Sequence, residues 1–156
     1  MKPEEATLTE SAFHRKMAAE LFNETWRWLD QRARTPEEDA RMSHCAHASR
    51  WHWEFIGSAE NLAIGEWQVA RVHAVLQQPA AALQHARRSL EIATGHRLSA
   101  FLVACAHEAM ARALATTEPA AAAEHVATAR RLTEEITDPE ERKILEEDLA
   151  SLPLPG

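Results

Sequence analysis

The sequence predicts an all-α protein built of stacked antiparallel helical hairpins, and three observations point to this fold class. The composition favours helices, because alanine supplies much of the 46% apolar share while only four glycines and no tyrosine occur. Apolar residues recur three and four positions apart in successive segments, which is the helical period. Short breaks containing proline, serine, threonine or aspartate separate these segments, with no convincing strand pattern between them.

Length and charge limit the possible functions. The 156 residues suit one domain with a hydrophobic core. Seventeen basic against 24 acidic residues give a net charge of −7 without a basic block, so a nucleic-acid partner is not expected. Two cysteines outside any CxxC pair are too few for a disulfide framework. Without a leader pattern or an apolar run approaching about 18 residues, we expect a cytoplasmic protein with no membrane contact.

The first two helices are predicted from their ends. Helix 1 covers about residues 9–34. A helix start follows, in which Thr35 caps, Pro36 suits the first helical position and Glu38 completes a capping box. Helix 2 then runs to Gly57, whose missing Cβ permits a left-handed stop.

Five further helices follow from the same kinds of signal. A cap, a proline in the first turn, or a terminating glycine or proline marks most of the boundaries. The predictions are helix 3 from Ser58 to about Gln77, helix 4 from Pro79 to Thr94 with Gly95 closing it, helix 5 from about Leu98 to Thr116, helix 6 from Glu118 to Ile136, and helix 7 from Asp138 until Pro153 ends it.

The chain also repeats internally. Segment Pro79–Ile92 aligns with Pro119–Leu132 at a 40-residue offset, and Ala70–Gln78 matches Ala111–Glu118 with one residue dropped at the turn. A single helical hairpin cannot bury its own apolar stripe, so such units must stack.

Small residues stand where the helices of each unit would cross. They are Ala70, Ala82 and Ser89 in the first unit and Ala111, Ala122 and Ala129 in the second. This pattern resembles the tetratricopeptide-repeat family over about Ala63 to Ile136. The resemblance implies a superhelix whose first helices line a concave groove, usually for peptides. The turns lack the family's usual glycine, and two clear units are few for a solenoid, so we expect a compact bundle or a homodimer.

One domain is therefore predicted over residues 1–156. It comprises a His/Trp-rich hairpin over 1–57, repeat-like hairpins over 58–95 and 96–136, and a C-terminal capping helix over 137–156.

The stretch Ala40–Ala74 is the most informative about function, since it holds four of the nine histidines and three of the five tryptophans. Helix 2 carries aromatic residues on both faces, including Trp51, so it is buried on both sides or lines a pocket or an interface. His44 and His47 lie three residues apart on one helical face, as metal sites in helical bundles require.

Titratable residues also lie within the apolar stripes of helices 1, 3 and 5. They are His14, then Glu66 and His73 seven residues apart on one face, then His107. When buried, such groups must be paired, because an unpaired polar group costs about 1–3 kcal/mol. Either each one makes a structural hydrogen bond, or several converge in one groove.

Convergence would support two kinds of chemistry. His47 or His73 can act as an acid or base with Glu66 as its partner, since histidine titrates near neutral pH. Alternatively, a transition metal can be held by histidines of different helices, namely His44, His47, His73 and His107. The HExxH motif and the glutamate-rich di-iron pattern are absent. His85 and His125 hold equivalent places at a stripe edge in the two repeats, and we expect them to be structural.

Two arginines lie near these groups. Arg50 follows His47 on helix 2, and Arg71 lies four residues past Trp67. A guanidinium beside a tryptophan can stack on it or clamp a carboxylate of a ligand. A structural salt bridge between hairpins is the alternative interpretation.

The leading functional hypothesis is a binding scaffold that holds a peptide, a protein or a small ligand in a groove lined by helices 1, 3 and 5. The expected ligand-binding residues are His14, His44, Arg50, Trp51, Trp67, Arg71 and His107. The alternative is a small enzyme or metal-binding protein that uses His47, Glu66 and His73. A third interpretation is an assembly module whose tryptophan-rich faces on helices 1 and 2 are buried in a homodimer.

Overall fold

Seven α-helices and no strand occur within residues 7–154, the part of the chain that the computed structural model describes. The helices are α1 (Glu10–Leu29), α2 (Pro36–Ile56), α3 (Ala59–Val75), α4 (Pro79–Gly95), α5 (Ala100–Leu114), α6 (Pro119–Thr133) and α7 (Pro139–Ala150). The predicted all-α class is confirmed. None of these helices combines the length and apolar character that crossing a membrane requires.

Consecutive helices form three hairpins that stack in chain order. Within the hairpins α1 packs on α2, α3 on α4 and α5 on α6, and between them α2 meets α3 and α4 meets α5. Helix α3 also contacts α5, while α7 covers the end of the stack against α5 and α6. The larger core runs through α3 to α7 around Met110 and Leu145, and a smaller one joins α1, α2 and α3 around Met42 and Val72. Stacking thus buries the apolar face of each hairpin, as the repeat pattern predicts.

The first two hairpins each contain the same kind of hydrogen bond between their two helices. The Ser49 hydroxyl donates to the Ala18 carbonyl at 2.7 Å, and the Ser89 hydroxyl donates to the Ala63 carbonyl at 2.9 Å. Ala129, which stands 40 residues after Ser89, is fully buried on α6. Small residues at these places let neighbouring helix axes approach closely. The hairpin of α1 and α2 is therefore a unit of the same kind as the two that repeat in sequence.

The predicted starts of α2 and α3 are confirmed by their hydrogen bonds. The Glu38 amide donates to Thr35 Oγ1 at 3.2 Å, and the Thr35 amide donates to Glu38 Oε2 at 2.8 Å, which completes the capping box. Ser58 and Asn61 form the same reciprocal pair ahead of α3, at 3.0 and 3.4 Å. Local sequence therefore determines where these two helices begin.

The predicted end of helix 1 is wrong, because α1 stops at Leu29 and not at Arg34. The Arg34 side chain folds back, and its Nη1 donates to the carbonyls of Trp28 and Gln31 at 3.1 and 3.0 Å. It thereby satisfies carbonyl groups near the helix end that lack partners within the helix. Arg34, which the helical pattern places within helix 1, thus lies beyond the end of α1 and caps it.

The left-handed conformation expected of Gly57 is also wrong. Gly57 ends α2 with φ −85° and ψ 163°, an extended conformation that any residue adopts. Glycine is required at position 57 because a Cβ there would lie only 2.6 Å from the Trp53 carbonyl oxygen. Gly95 closes α4 as its last residue, and the left-handed residue that follows this helix is Arg97, with φ 52°.

The turn between α3 and α4 is a Schellman motif, which matters for the site described below. Gln77 has φ 58°, and its amide donates to the Ala74 carbonyl at 3.1 Å. The Gln78 amide donates to the His73 carbonyl at 2.9 Å. This pattern of two hydrogen bonds closes the helix and reverses the chain. It also brings residue 78 next to the side chain of residue 73.

Candidate metal centre

Three histidine side chains from three helices meet on one side of the stack. His47 lies on α2, His73 in the last turn of α3 and His85 on α4. Their ring centroids are 5.2, 5.3 and 5.6 Å apart, so the rings form a nearly equilateral triangle. One nitrogen atom from each ring lies within 4.8 Å of the other two. We refer to these three residues as the three-histidine cluster; no other such group of three metal-ligating side chains occurs in residues 7–154.

The packing of the hairpins explains why these residues meet. His73 and His85 both stand six residues from Pro79, one on each side of the turn. In an antiparallel hairpin, residues equidistant from the turn lie side by side, and these two rings stack with an interplanar angle of 7°. Helix α2 packs against α3 from the preceding hairpin and adds His47.

Hydrogen bonds on the outer nitrogens orient two of the rings. The Nδ1 of His85 lies 2.6 Å from Oε2 of Glu66, and the Nδ1 of His73 lies 2.7 Å from Oε1 of Gln78. Carboxylate and amide oxygens accept hydrogen bonds, so the network assigns the proton to Nδ1 in both rings. The Nε2 atoms of His73 and His85 then carry lone pairs, and His73 Nε2 accepts a hydrogen bond from His47 Nε2 at 3.0 Å.

Glu66 is a charged carboxylate behind the three-histidine cluster. Its side chain is only 4% exposed, and its Oε1 accepts a hydrogen bond from Arg50 Nε at 3.0 Å. Burial raises the pKa of Glu66, but the hydrogen bond from His85 and the positive charges of Arg50 and Arg88 lower it below its ordinary value. Arg50 reaches this position because α3 has Gly65 there, where a Cβ would lie 2.8 Å from the Arg50 Cδ.

His47 is held in its neutral form. Burial lowers its pKa, and the neighbouring imidazoles of His73 and His85 lower it further, although Glu66 acts in the opposite direction. A neutral imidazole has a free lone pair and is the form that binds a metal.

The predicted site residues are only partly brought together. His47 and His73 meet as predicted, but Glu66 contacts His85 and not His73, so that expected pairing is wrong. Residues seven apart on one helix are separated by about 10 Å along its axis, which is too far for direct contact. His85, expected to be structural, belongs to the three-histidine cluster. Its equal distance from Pro79 is the sequence signal that identifies it as the neighbour of His73.

The remaining predicted metal ligands lie outside the three-histidine cluster. His44 stands one turn before His47 on α2 and lines a groove that adjoins the three-histidine cluster. His107 lies in the third hairpin, where its Nδ1 is 2.9 Å from Nδ1 of His125. Burial and the neighbouring His125 lower the pKa of His107 to about 4. The proposed set of His44, His47, His73 and His107 is therefore not assembled in one place.

Three of the predicted ligand-binding residues lie on or beside the first hairpin and are not part of the cluster. His14 stacks on Phe55 with ring centroids 4.2 Å apart, and its Nδ1 lies 2.8 Å from His52 Nδ1. Trp51 is 61% exposed and packs edge-on against Phe55. Arg50 joins the first two hairpins through Glu66, which matches the structural salt bridge weighed as its alternative role. The predicted homodimer through this aromatic face stays a prediction.

Of the last two predicted ligand-binding residues, Trp67 lines a second groove and Arg71 lies beside it. We call it the tryptophan groove; it holds about 360 Å³ and is lined by Trp26, Trp67, Phe101, Ile144, Glu147 and Asp148. These residues come from α1, α3, α5 and α7. Helices 1, 3 and 5 therefore do line a groove, with α7 as an additional wall.

Arg71 packs against the two tryptophans of the tryptophan groove. Its guanidinium carbon lies 5.9 and 5.5 Å from the Trp26 and Trp67 ring centroids. Its Nη2 bonds Glu108 at 3.3 Å and Asp148 at 3.0 Å. The arginine is therefore already paired within the protein and holds α3, α5 and α7 together.

No protein-family model, curated protein or solved structure matches this chain. Fold and site together define an all-α stack of helical hairpins with a three-histidine cluster between its first two hairpins.

Proposed function

We propose that this protein binds a divalent transition metal at the three-histidine cluster. The observation that carries the proposal is the convergence of three imidazole nitrogens, one from each of three helices, within 4.8 Å. Imidazole ligands suit zinc, copper, nickel and iron, whereas calcium and magnesium require oxygen ligands. Zinc held by three histidines with one open position fits this ligand set best.

The spacing of the nitrogens supports a tetrahedral ion. Zinc–nitrogen bonds of about 2.0–2.1 Å put two ligand nitrogens about 3.3 Å apart. His47 Nε2 and His73 Nε2 are already 3.0 Å apart, so small side-chain rotations would admit the ion. His47 is exposed on α2, and its rotation disturbs no packed core.

The outer hydrogen bonds also support the proposal. Metal-bound histidines commonly donate their second N–H to a carboxylate or a carbonyl oxygen, which fixes the tautomer and makes the ligand more basic. Glu66 supplies the carboxylate for His85 at 2.6 Å, and Gln78 supplies the amide oxygen for His73 at 2.7 Å.

Zinc affinity tests the proposal. We expect tag-free protein to bind one zinc ion per chain in competition with a chromophoric chelator, and His85→Ala to weaken binding at least about 100-fold. His125→Ala is the matched control, because it removes the imidazole at the same repeat position 40 residues later. Circular dichroism checks that all variants keep their helices. Substoichiometric zinc, or equal affinity in His85→Ala and wild type, would overturn the proposal.

A second candidate function is peptide binding in the tryptophan groove, in line with the tetratricopeptide resemblance. The observation that favours it is an aromatic wall of Trp26, Trp67 and Phe101 beside the exposed carboxylate of Glu147, since Asp148 is already paired with Arg71. Aromatic faces and carboxylates both attract cationic side chains, so a lysine- or arginine-rich peptide is the expected ligand.

Anisotropy of labelled peptides tests this second function. A lysine-rich peptide should bind more tightly than a glutamate-rich peptide of equal length, and Trp67→Leu should abolish the difference. Trp51→Leu is the control, since it removes an exposed tryptophan on α2 and leaves the tryptophan groove intact. Equal affinity for both peptides, or no binding of either, would refute this candidate.

A further inference from the structure

The three-histidine cluster leaves one side of a bound ion without a protein ligand. Three neutral imidazoles do not compensate a charge of +2, and tetrahedral zinc has a fourth position to fill. Glu66 does not fill it, because Oε2 bonds His85 and Oε1 bonds Arg50. His47 is exposed, so the cluster is open to solvent.

A groove begins beside the cluster and leads away from it. We call it the α2–α3 groove; it holds about 490 Å³ and is lined by Pro36, Asp39, Ala40, Ser43, His44, Leu76 and Gln78. Gln78 belongs to both places, since its side chain lines the groove and its Oε1 bonds His73 Nδ1 at 2.7 Å. The groove therefore adjoins the three-histidine cluster through Gln78.

His44 lines the groove with an imidazole that can hydrogen-bond a ligand. It is exposed one helical turn before His47 and makes no hydrogen bond to any residue within 7–154. The other titratable group, Asp39, is paired with Arg34 Nε at 2.7 Å. An imidazole in this position is free to hydrogen-bond a molecule that approaches the metal.

We infer that the α2–α3 groove admits a small carboxylate, which displaces water from the fourth metal position while His44 hydrogen-bonds its second oxygen. This inference rests on the proposed metal function. The groove offers one imidazole, the Ser43 hydroxyl and apolar contacts to Ala40 and Leu76, which suits a singly charged group on a short aliphatic chain. A phosphate dianion requires several cationic or N–H donors, and the groove does not provide them.

Cobalt-substituted protein tests the inference, because the visible spectrum of Co²⁺ reports changes in its ligands. We expect propionate to change the spectrum of the cobalt protein and phosphate to do so more weakly. His44→Ala should bind cobalt as wild type does, yet bind propionate at least 10-fold more weakly. His96→Ala is the matched control, because His96 is an exposed histidine at the far end of α4.

The possible failures are distinguishable. If cobalt binds and propionate leaves the spectrum unchanged, the carboxylate inference is wrong and the metal function stands. If His44→Ala loses cobalt, His44 is itself the fourth ligand and the inference is also wrong. Tighter binding of phosphate than propionate contradicts the assigned ligand class. If cobalt does not bind at all, the metal function and the inference are both refuted.

Discussion

Replacing Glu66 with glutamine removes one negative charge behind the three-histidine cluster and changes the size of the side chain very little. In the native protein this carboxylate accepts from His85 Nδ1 at 2.6 Å and from Arg50 Nε at 3.0 Å. The amide of glutamine accepts more weakly, and its NH₂ group opposes one of the two donors. His85 is then a less basic ligand with a less fixed orientation.

The expected loss follows from the position of Glu66 outside the ligand nitrogens. Removal of such an outer hydrogen-bond partner typically weakens metal binding about 10- to 100-fold, which is about 1.4–2.7 kcal/mol. The same substitution also weakens a buried ion pair with Arg50, at a cost in folding stability of about 1–3 kcal/mol. Zinc affinity must therefore be measured at a temperature where thermal melting shows the variant to be fully folded.

Glu54→Gln is the control for Glu66→Gln. Glu54 pairs with the same Arg50, at 2.5 Å through Nη1, but it is half exposed and does not contact His85. The Glu54→Gln substitution therefore removes a charge near Arg50 without changing the hydrogen bond of the His85 imidazole. We expect zinc affinity in Glu54→Gln to stay within about threefold of wild type. Equal losses in the two variants, or no loss in Glu66→Gln, would refute the role assigned to the carboxylate.

Three further predictions concern stability. Burial lowers the pKa of His107 to about 4, whereas the imidazole of the unfolded chain titrates at about 6.5. The unfolded state therefore binds more protons between these two values. As a result, the free energy of unfolding falls as the pH drops from about 6.5 towards 4. Urea unfolding at pH 7 and pH 5 checks this, and His107→Gln should reduce the difference. Arg71→Met leaves Asp148 without its ion-pair partner, while Glu108 keeps Arg112 Nε at 2.7 Å, so the substitution should cost about 1–3 kcal/mol by urea unfolding at pH 7; a loss below about 0.5 kcal/mol would contradict that role. Gln77→Gly relieves a left-handed φ of 58° and should raise stability by up to about 1 kcal/mol, whereas a lower melting temperature would contradict the assigned strain.

Local sequence predicted most of the fold correctly because the helix ends are determined locally. Thr35 with Glu38 starts α2 through contacts between residues three apart, and both residue types are readable as a cap. The end of α1 was predicted wrongly because Arg34 has a helix-favouring side chain, and its hydrogen bonds to Trp28 and Gln31 depend on a loop conformation that periodicity does not encode.

The candidate site was less predictable, because it depends on how hairpins are oriented against each other. Helical period identifies His73 as inward-facing, but it gives no information on which neighbouring helix that side chain meets. His85 was excluded because it stands at the edge of its apolar stripe, yet a stripe edge is where a side chain reaches the adjacent helix. Glu66 was correctly expected to be buried and paired, and only its partner was wrong.

The ligands of the three-histidine cluster come from two different structural units, since α2 belongs to the first hairpin while α3 and α4 form the second. In stacked repeats each unit is held only by its neighbours, so a terminal unit opens at a lower free energy than the interior. An ion bound by residues of both units must be released when the terminal hairpin opens, so ion release and hairpin opening are coupled. Hydrogen exchange in α1 and α2 would then slow with rising metal concentration, because the bound ion stabilises the closed position of the terminal hairpin.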